Sequence, residues 1–487
     1  MEQDDQLLPR DKLLRDTFTP AENLLFVLIL ITANVAFWLV DPRSYWLLGF
    51  FLIAAAMTPI LLKTHEHTHP FYVTFLWPKF WLCTAPVWLF LLQFVVGLSQ
   101  PVLGSLTFDG TAFTLFRWPE SSWLPVSTAA GSSWPSVLGF CAIYLVAIGL
   151  FLVPKSRAFF ERLMPFLCLG AVLPGIFGYI QHGLNLSSPL LTKGTGAVDF
   201  FGFFPYDGHW AAFAILWTCA CLAMALLTTR YDDSPAFIES SGPWYLAGGT
   251  LLGASAFLVD AKWPAVFLML TYASMLMLFS LNLLMAKRDP HRKAIATCGG
   301  LVAVFMLAAG FSRATQAVDL QLRGESLQQA AKEMFFDRPF FGWGMDSFGP
   351  LLPFYGSDLL LAENYERAGN DIVQILAEVG IAGVLPSLLL LAILIGRYLR
   401  GRHNMQLTNH LLIGLGVILL LAWFDSPLMS PAVFFSFVIL LFVALRWADL
   451  TRNRADEVDA PRPHLVTPHS LRRIPFFTES GKKNSQT

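Results

Sequence analysis

Apolar stretches recur along almost the whole length of this sequence, and each is about as long as a membrane-spanning helix. A helix needs about 20 predominantly apolar residues to cross a hydrocarbon core about 30 Å thick. Of the 487 residues, 55% are hydrophobic and 14% charged, whereas an ordinary soluble domain carries about 25% charged residues. Backbone groups in lipid must be satisfied internally, and runs of this length favour helices over a β-barrel. The sequence therefore predicts an all-α polytopic membrane protein.

Helices are predicted near twelve segments, at 22–40, 46–62, 80–98, 135–153, 163–181, 209–228, 244–259, 264–285, 294–312, 372–395, 411–424 and 432–446. Twelve helices place both termini on one side. Of the 33 Lys and Arg residues, 24 fall in segments that are cytoplasmic if the termini are, as the positive-inside rule requires. We therefore expect a cytoplasmic N-terminus (1–21) that carries no cleavable signal peptide, a transmembrane domain (22–446) and a disordered cytoplasmic tail (447–487).

Two predicted outside loops, 99–134 and 313–371, are long enough to fold. The first is rich in aromatic residues, Pro and Gly, which fits either a structured loop or one that lies at the membrane interface. The second has a helical pattern over Glu325–Phe336 that breaks at Asp337-Arg338-Pro339, so we expect it to be mostly helical. It also holds five of the nine basic residues predicted to lie outside: Arg313, Arg323, Lys332, Arg338 and Arg367.

Several classes of ligand are disfavoured. A net charge of -1 offers no basic face for nucleic acid. The histidines of His65-Glu66-His67-Thr68-His69 suit zinc only on an extended segment, and no strand precedes Gly342-Trp343-Gly344 as a nucleotide loop requires. All six cysteines lie in apolar runs, where they pack as small hydrophobic residues. We expect no metal, no cofactor and no disulfide.

A periodic set of polar residues lies at the start of the tenth predicted helix. Asn370, Gln374 and Glu378 recur every four residues and so share one face. Polar side chains at membrane depth usually point into a cavity or toward another helix. The spacing therefore fits either substrate contacts or contacts between helices. Asn370 or Asp371 can cap the helix.

Three motifs with their order and spacing resemble the O-antigen ligase and polymerase family. The segment from Arg367 to Gly383 is similar to that family's closing signature, in which a His-Asn pair is followed by a Gln, a Glu and a Gly-rich end. Upstream, Arg323-Gly324-Glu325-Ser326 and the 337–344 segment resemble its conserved arginine and its Pro-x-x-Gly-x-Gly element. The 202–213 segment, with His209, resembles its Asn-His-x-Ala-Ala element. Together these motifs cover about 200–390.

The resemblance implies a C-class, inverting, metal-independent glycosyltransferase at the periplasmic face of a bacterial inner membrane. Its donor is a polyprenyl-diphosphate-linked glycan. The acceptor is a lipid A core sugar in ligases, a second lipid-linked repeat in polymerases, or a protein hydroxyl in related oligosaccharyltransferases. Such a protein takes the lipid bilayer as its environment and needs no cofactor.

The site residues are carried over from these motifs. A departing diphosphate gains negative charge, which preorganised cations stabilise. Arg323 matches the family's loop arginine and is our first catalytic candidate, with Arg338 and Arg367 as substrate-binding helpers. Each arginine can alternatively pair with a nearby carboxylate. Lys262 aligns weakly with a family arginine and either binds phosphate or extends to the membrane surface. The other candidates for substrate binding are His209, Asn370, Gln374 and Glu378.

The sequence departs from the family at Gly369, which stands where ligases place the histidine that activates the acceptor hydroxyl. Glycine cannot take a proton, so a general base must come from Glu363, Glu366 or Asp371; Glu363 and Asp371 are our catalytic candidates. The substitution favours a polymerase over a ligase. Two further alternatives stay open, a transporter of lipid-linked sugars and an inactive homologue that serves as a scaffold. Asp425, between Trp423 and Pro427, is interpreted as a turn residue, with a place in the lining of the cavity as the alternative.

Overall fold

The computed structural model describes residues 18–38, 45–66, 70–108, 111–119, 121, 123–128, 130–186, 200–228, 237–285, 291–317, 322–356, 367–399 and 406–459. Its elements in chain order are α1 (Pro20–Trp38), α2 (Tyr45–Glu66), α3 (Pro70–Gly97), β1 (Leu103–Phe108), β2 (Thr111–Phe116), α4 (Ala130–Leu152), α5 (Arg157–Gly183), α6 (Asp207–Thr228), α7 (Gly242–Ala254), α8 (Lys262–Met285), α9 (Arg292–Ala317), α10 (Leu322–Asp337), α11 (Phe348–Tyr355), α12 (Asp371–Leu399), α13 (Gln406–Leu421) and α14 (Pro431–Asp459). Each of the twelve predicted segments coincides with a helix.

The protein is an all-α polytopic membrane protein. Within the described residues, nine helices are long and apolar enough to cross a membrane, namely α1, α3, α4, α5, α6, α8, α9, α12 and α14. Helix α13 is apolar but shorter, and α7 has 13 residues. The number of crossings, twelve, and their orientation stay predictions.

Helix α6 forms the centre of the bundle. Its side chains are buried from Asp207 to Leu226, as expected for a helix that is apolar on all sides. It packs against α7, α8, α13 and α14. Two buried tryptophans fix it to its neighbours through 2.9 Å hydrogen bonds, from Trp210 to the hydroxyl of Ser255 and from Trp217 to that of Ser436. The start of α6 is therefore held firmly.

Basic side chains fasten one end of the bundle. At this end, the ammonium group of Lys63 donates to the carbonyl of Val153, and the guanidinium of Arg446 donates to the carbonyl of Pro154 at 2.6 Å. Both basic residues belong to segments that the charge pattern predicts to be cytoplasmic. The opposite end, which holds the β-hairpin, is called the hairpin end below.

The two predicted outside loops pack together at the hairpin end. Strands β1 and β2 form an antiparallel hairpin with Leu103 opposite Phe116, which the all-α prediction did not include. Helix α10 ends at Asp337, where the sequence predicted a break. The hairpin, α10 and α11 share an apolar core of their own, which includes Val102, Val126, Leu327, Met334, Trp343 and Leu351. We call this unit the hairpin module.

Candidate active site

Helix α12 is broken at Gly380, whose backbone has φ 71° and ψ 177°. The carbonyl groups freed by this break accept hydrogen bonds from the segment that follows α10. The N–H of Trp343 donates to the carbonyl of Ala377 at 3.0 Å, and that of Gly344 donates to the carbonyl of Glu378 at 2.8 Å. Two of the motifs identified in the sequence are thus bonded to each other.

Glycine is required on both sides of this contact. Gly342 and Gly380 both have positive φ, a region that side chains disfavour. A Cβ on Gly342 would lie 2.5 Å from the carbonyl carbon of Glu378, and one on Gly380 would collide with the carbonyl of Phe340. The Gly-rich pattern of the two motifs therefore serves a close approach of two backbones.

The polar face of α12 makes hydrogen bonds to neighbouring segments of the protein. The carboxylate of Glu378 accepts from the N–H of Asp346 at 2.9 Å and from the amide of Gln374 at 3.1 Å. The amide oxygen of Gln374 accepts from the N–H of Ala368 at 2.9 Å. These hydrogen bonds join parts of the hairpin end to one another. They are closer to the predicted alternative of contacts between helices than to that of contacts with a substrate. Substrate binding by Gln374 and Glu378 stays a prediction.

Asn370 is the N-cap of α12. Its side-chain oxygen accepts from the N–H groups of Ile372 and Val373, both at 3.1 Å, which is the usual capping geometry. Its amide nitrogen donates to the carbonyl of Trp423 at 2.9 Å. The predicted cap is confirmed, and it fixes the start of α12 against the end of α13.

Five polar residues meet where α6, α12 and the turn after α13 come together. These residues, called the polar cluster below, are Tyr206, His209, Arg367, Asp371 and Asp425. The guanidinium Nη1 of Arg367 contacts both ring nitrogens of His209, Nε2 at 2.5 Å and Nδ1 at 3.1 Å, and Nε2 also lies 3.1 Å from the carbonyl of Ser426. A guanidinium only donates, so the ring nitrogen that it binds carries no proton. His209 is therefore a neutral imidazole that orients Arg367.

Asp425 and Tyr206 form the outer part of the polar cluster. The Tyr206 hydroxyl donates to Oδ2 of Asp425 at 2.8 Å, and the N–H of Ser426 donates to Oδ1 at 2.7 Å. Burial raises the pKa of Asp425, while these two hydrogen bonds and the charge of Arg367 partly oppose the rise. Burial and the neighbouring carboxylate also raise the pKa of Tyr206 well above its usual value. A carboxyl group with a raised pKa is suited to accept a proton.

Asp371 is fully buried beside this pair. Its Oδ2 accepts from the N–H of Leu428 at 2.6 Å, and its own N–H donates to the carbonyl of Ala422 at 3.0 Å. Within the described part of the chain, Oδ1 has no hydrogen-bond partner. The structure thus places this predicted catalytic residue in the cluster, but deeper than Asp425.

Lys262 lies at the same end of the bundle. It is the first residue of α8 and is exposed. The carboxylate of Asp207 accepts from the N–H groups of Asp260 and, at 3.0 Å, Ala261, and so ties the start of α8 to the start of α6. The structure brings Lys262 to the hairpin end and shows no contact between it and the polar cluster.

Arg338 has a different setting. Its side chain is 3% exposed and donates to three carbonyl oxygens, those of Gly342 at 3.2 Å, Ser121 at 3.3 Å and Leu124. Its guanidinium also lies over the ring of Trp343. Its observed partners are carbonyl groups, in place of the carboxylates weighed as an alternative, and substrate binding by Arg338 stays a prediction.

Three residues that were predicted to act in the site lie wholly or partly outside the described part of the chain. Arg323 lies in the first turn of α10, with a side chain outside the described residues, and Glu363 and Glu366 lie outside them altogether. Gly369, by contrast, is described. It has φ 66°, and a Cβ there would meet no atom of the described residues within 4 Å, so among these residues the position where ligases carry a histidine has room for a side chain.

The sequence singles out His209, Arg367 and Asp371 as site residues, but not the other two members of the polar cluster. For Asp425 it favours a turn over a place in the lining of the cavity, and it gives no reason to select Tyr206 from the motif that contains His209. The available signal was an acidic residue flanked by two apolar helices.

Among the described residues, no group of three His, Cys, Asp or Glu side chains could hold a metal ion. Comparison of the sequence with models of known protein families and with curated proteins found no match.

Proposed function

We propose that this protein is a membrane glycosyltransferase of the O-antigen ligase type. It transfers a glycan from a polyprenyl-diphosphate donor to a lipid A core sugar or another glycan acceptor at the periplasmic face of a bacterial inner membrane. The single observation that supports this most strongly is the polar cluster. It brings an oriented guanidinium close to buried carboxyl groups, and four of its five members come from two of the three motifs that resemble the family, while Asp425 lies outside them.

The reaction needs a cation and a base. The acceptor oxygen forms a bond to the anomeric carbon, the bond from that carbon to the diphosphate oxygen breaks, and the leaving diphosphate keeps the electron pair. We assign the diphosphate to Arg367, because preorganised donors stabilise charge that develops in the transition state. His209 acts as a positioning residue, since it holds Arg367 without competing for the negative charge.

The proton of the acceptor hydroxyl goes to a carboxylate of the polar cluster. We assign it to Asp425, which is 9% exposed whereas Asp371 is 0% exposed. Asp371 then serves to hold the turn at 427–429 against α12. Arg323 and Lys262 are proposed as further contacts to the diphosphate, and Glu363 as a second candidate base, on the strength of the sequence motifs alone.

Polymerisation is the second candidate function. Gly369 favours it, because the ligase histidine is missing and the space that its side chain would fill is open. In this case the same cluster transfers a growing glycan to the terminal sugar of a second lipid-linked repeat. The cation and the base keep their roles.

A transporter is less well supported. Transporters tend to place ionisable groups near the middle of interrupted helices. In the described residues, the buried Asp, Glu, Lys, Arg and His side chains lie near helix ends, with the exception of Glu378 beside the break in α12. The carboxylate of Glu378 is occupied by the N–H groups of Asp346 and Phe348. This arrangement suits chemistry at a membrane surface.

The test is complementation of a strain that lacks its own O-antigen ligase, with the lipopolysaccharide ladder as the readout. We expect the unmodified protein to restore the ladder and Arg367→Gln and Arg323→Ala to abolish it, with all proteins present in the membrane at equal amounts. A protein that reaches the membrane but restores no ladder contradicts the ligase reaction. Restored chain length in a polymerase-deficient strain would then assign the second function.

A further inference from the structure

Two exposed aromatic side chains are in contact on the hairpin module beside the break in α12. Trp123 is 65% and Phe340 46% exposed, and their ring centroids are 4.8 Å apart. Leu124, next to Trp123 in the chain, and Phe336, in the last turn of α10, are also exposed. We call the pair Trp123 and Phe340 the aromatic face. Contiguous exposed apolar side chains of this kind mark an interaction surface.

Hydrogen bonds fix the position of this face along the axis of α12. The carbonyl of Phe340 accepts from the N–H of Ala382 at 2.9 Å. Just there, a stripe of exposed apolar side chains begins on α12, comprising Ile381, Leu385, Leu388, Leu389 and Ile393. At ~1.5 Å per residue, the helix from 381 to 399 is about 28 Å long, close to the thickness of a hydrocarbon core. Phe340 therefore lies at the boundary of the hydrocarbon.

Contacts with helix α3 place the turn of Phe340 at the same depth in the membrane. The amide of Gln93 donates to the carbonyls of Phe341 at 2.6 Å and Val379 at 2.9 Å. On the adjacent turn, Leu92 and Val95 are 62% and 57% exposed, as expected of residues that face lipid. The turn that carries the aromatic face is thus level with the first lipid-facing residue of α12 and lies within two turns of Leu98, the last exposed apolar residue at this end of α3.

Arg338 holds the aromatic face together. Its guanidinium donates to the carbonyls of Ser121 and Leu124, which flank Trp123, while its own backbone leads into Phe340. Isolated buried charge is costly, and here carbonyl groups satisfy it. The arginine therefore fastens the loop of Trp123 to the turn of Phe340.

We propose that the aromatic face sits in the headgroup region of the nearer membrane leaflet and anchors the hairpin module to the membrane surface. Tryptophan is enriched at this depth because its ring is apolar and its N–H binds polar groups. An exposed aromatic pair can also stack on a sugar ring. The position of this pair along α3 and α12, at the edge of the lipid-facing surface, favours contact with lipid headgroups over contact with a sugar. The proposal does not depend on the glycosyltransferase reaction.

The experiment measures the depth of single fluorescent labels in the full chain, reconstituted in phosphatidylcholine nanodiscs. Cys298 is the exposed native cysteine and is first replaced by Ser. Trp123→Cys and Phe340→Cys are labelled separately, so that failure of one variant to fold does not end the test. Glu333→Cys, on the exposed face of α10, is the matched control for water, and Leu389→Cys is the control for lipid.

We expect labels at positions 123 and 340 to lose most of their emission to nitroxides carried near the lipid headgroups and little to iodide in water. The label at 333 should show the reverse, and the label at 389 should respond to nitroxides placed deeper in the acyl chains. If the labels at 123 and 340 behave like the label at 333, the proposal is wrong. If a soluble oligosaccharide then shields those labels from iodide, the aromatic face binds a glycan instead of lipid.

Discussion

The guanidinium of Arg367 contacts both ring nitrogens of His209, with Nδ1 at 3.1 Å, although 158 residues separate the two residues in the chain. This contact joins the segment before α12 to the first turn of α6. Because α6 is buried along nearly its whole length, it offers a rigid support for a residue that would otherwise be carried by a loop. The proposed diphosphate contact is therefore preorganised, as electrostatic stabilisation of a transition state requires.

Replacement of Arg367 by Gln removes the cation of the polar cluster. We expect transfer activity to fall by roughly 10²-fold or more, since loss of one preorganised donor costs about that much. Arg313→Gln is the matched control, because Arg313 is also half-buried at the hairpin end and binds the carbonyl of Ala256. Equal loss of activity in both variants, measured at equal protein amounts, would contradict the role of Arg367.

Asp425→Asn separates stability from activity. Burial raises the pKa of Asp425, so its contribution to stability is complete below the unfolded-state pKa of about 3.9 and is lost as the pH rises through the folded-state pKa. The variant cannot ionise, its amide oxygen can still accept from the N–H of Ser426, and its NH2 group can donate to the Tyr206 hydroxyl in place of accepting from it. We therefore expect its Tm, relative to the unmodified protein, to rise with pH, while its transfer activity is lost.

The control for this prediction is Asp260→Asn, at an exposed aspartate of the same end, which should leave both the Tm profile and the activity close to those of the unmodified protein. Thermal unfolding in detergent between acidic and neutral pH gives the first readout, and a transfer assay gives the second. An active Asp425→Asn variant would exclude Asp425 as the base.

Two glycine variants test the contact between the motifs. Gly342 and Gly369 both have positive φ, but only at Gly342 does an added Cβ meet backbone atoms. Replacement by Ala should cost roughly 1–2 kcal/mol at either position from backbone strain, and about 1–3 kcal/mol more at Gly342 from overpacking. Thermal unfolding of both variants measures the difference, and equal losses would show that the close approach is unimportant.

Gly369→His restores the imidazole that ligases of the family carry. The position is open, so the variant should fold with a loss of roughly 1–2 kcal/mol from its left-handed backbone. If the protein is a ligase with a compensating base, ladder formation in the complemented strain should increase. Gly369→Asn is the control, because Asn tolerates this backbone conformation and supplies no base. An increase with both variants would show that the imidazole is not responsible.

The helices were predictable from the sequence because long apolar runs are a local signal. The end of α10 at Asp337 and the cap at Asn370 were predictable for the same reason, since proline and capping residues act on their immediate neighbours. The hairpin was missed because its strands, Leu103–Phe108 and Thr111–Phe116, are short and belong to a segment whose composition also suits an unstructured interfacial loop.

The candidate site was only partly predictable, since its contacts join distant parts of the chain. Spacing placed Gln374 and Glu378 on one face, but it could not show that this face binds the hairpin module. The basic character of Arg338 suggested phosphate, whereas its position gives it three carbonyl partners. Asp425 entered the cluster because the turn after α13 lies against the start of α12, which no local pattern indicates.

The most direct test is transfer by the purified protein in vesicles, with a polyprenyl-diphosphate-linked glycan as donor, lipid A core as acceptor and a chelator present. The measured quantities are the polyprenyl diphosphate released and the glycan joined to the acceptor. We predict that both form in equal amounts with the unmodified protein and that neither forms with Arg367→Gln. If the unmodified protein, inserted and folded, releases no diphosphate with either lipid A core or a second lipid-linked repeat as acceptor, the proposed glycosyl transfer is wrong.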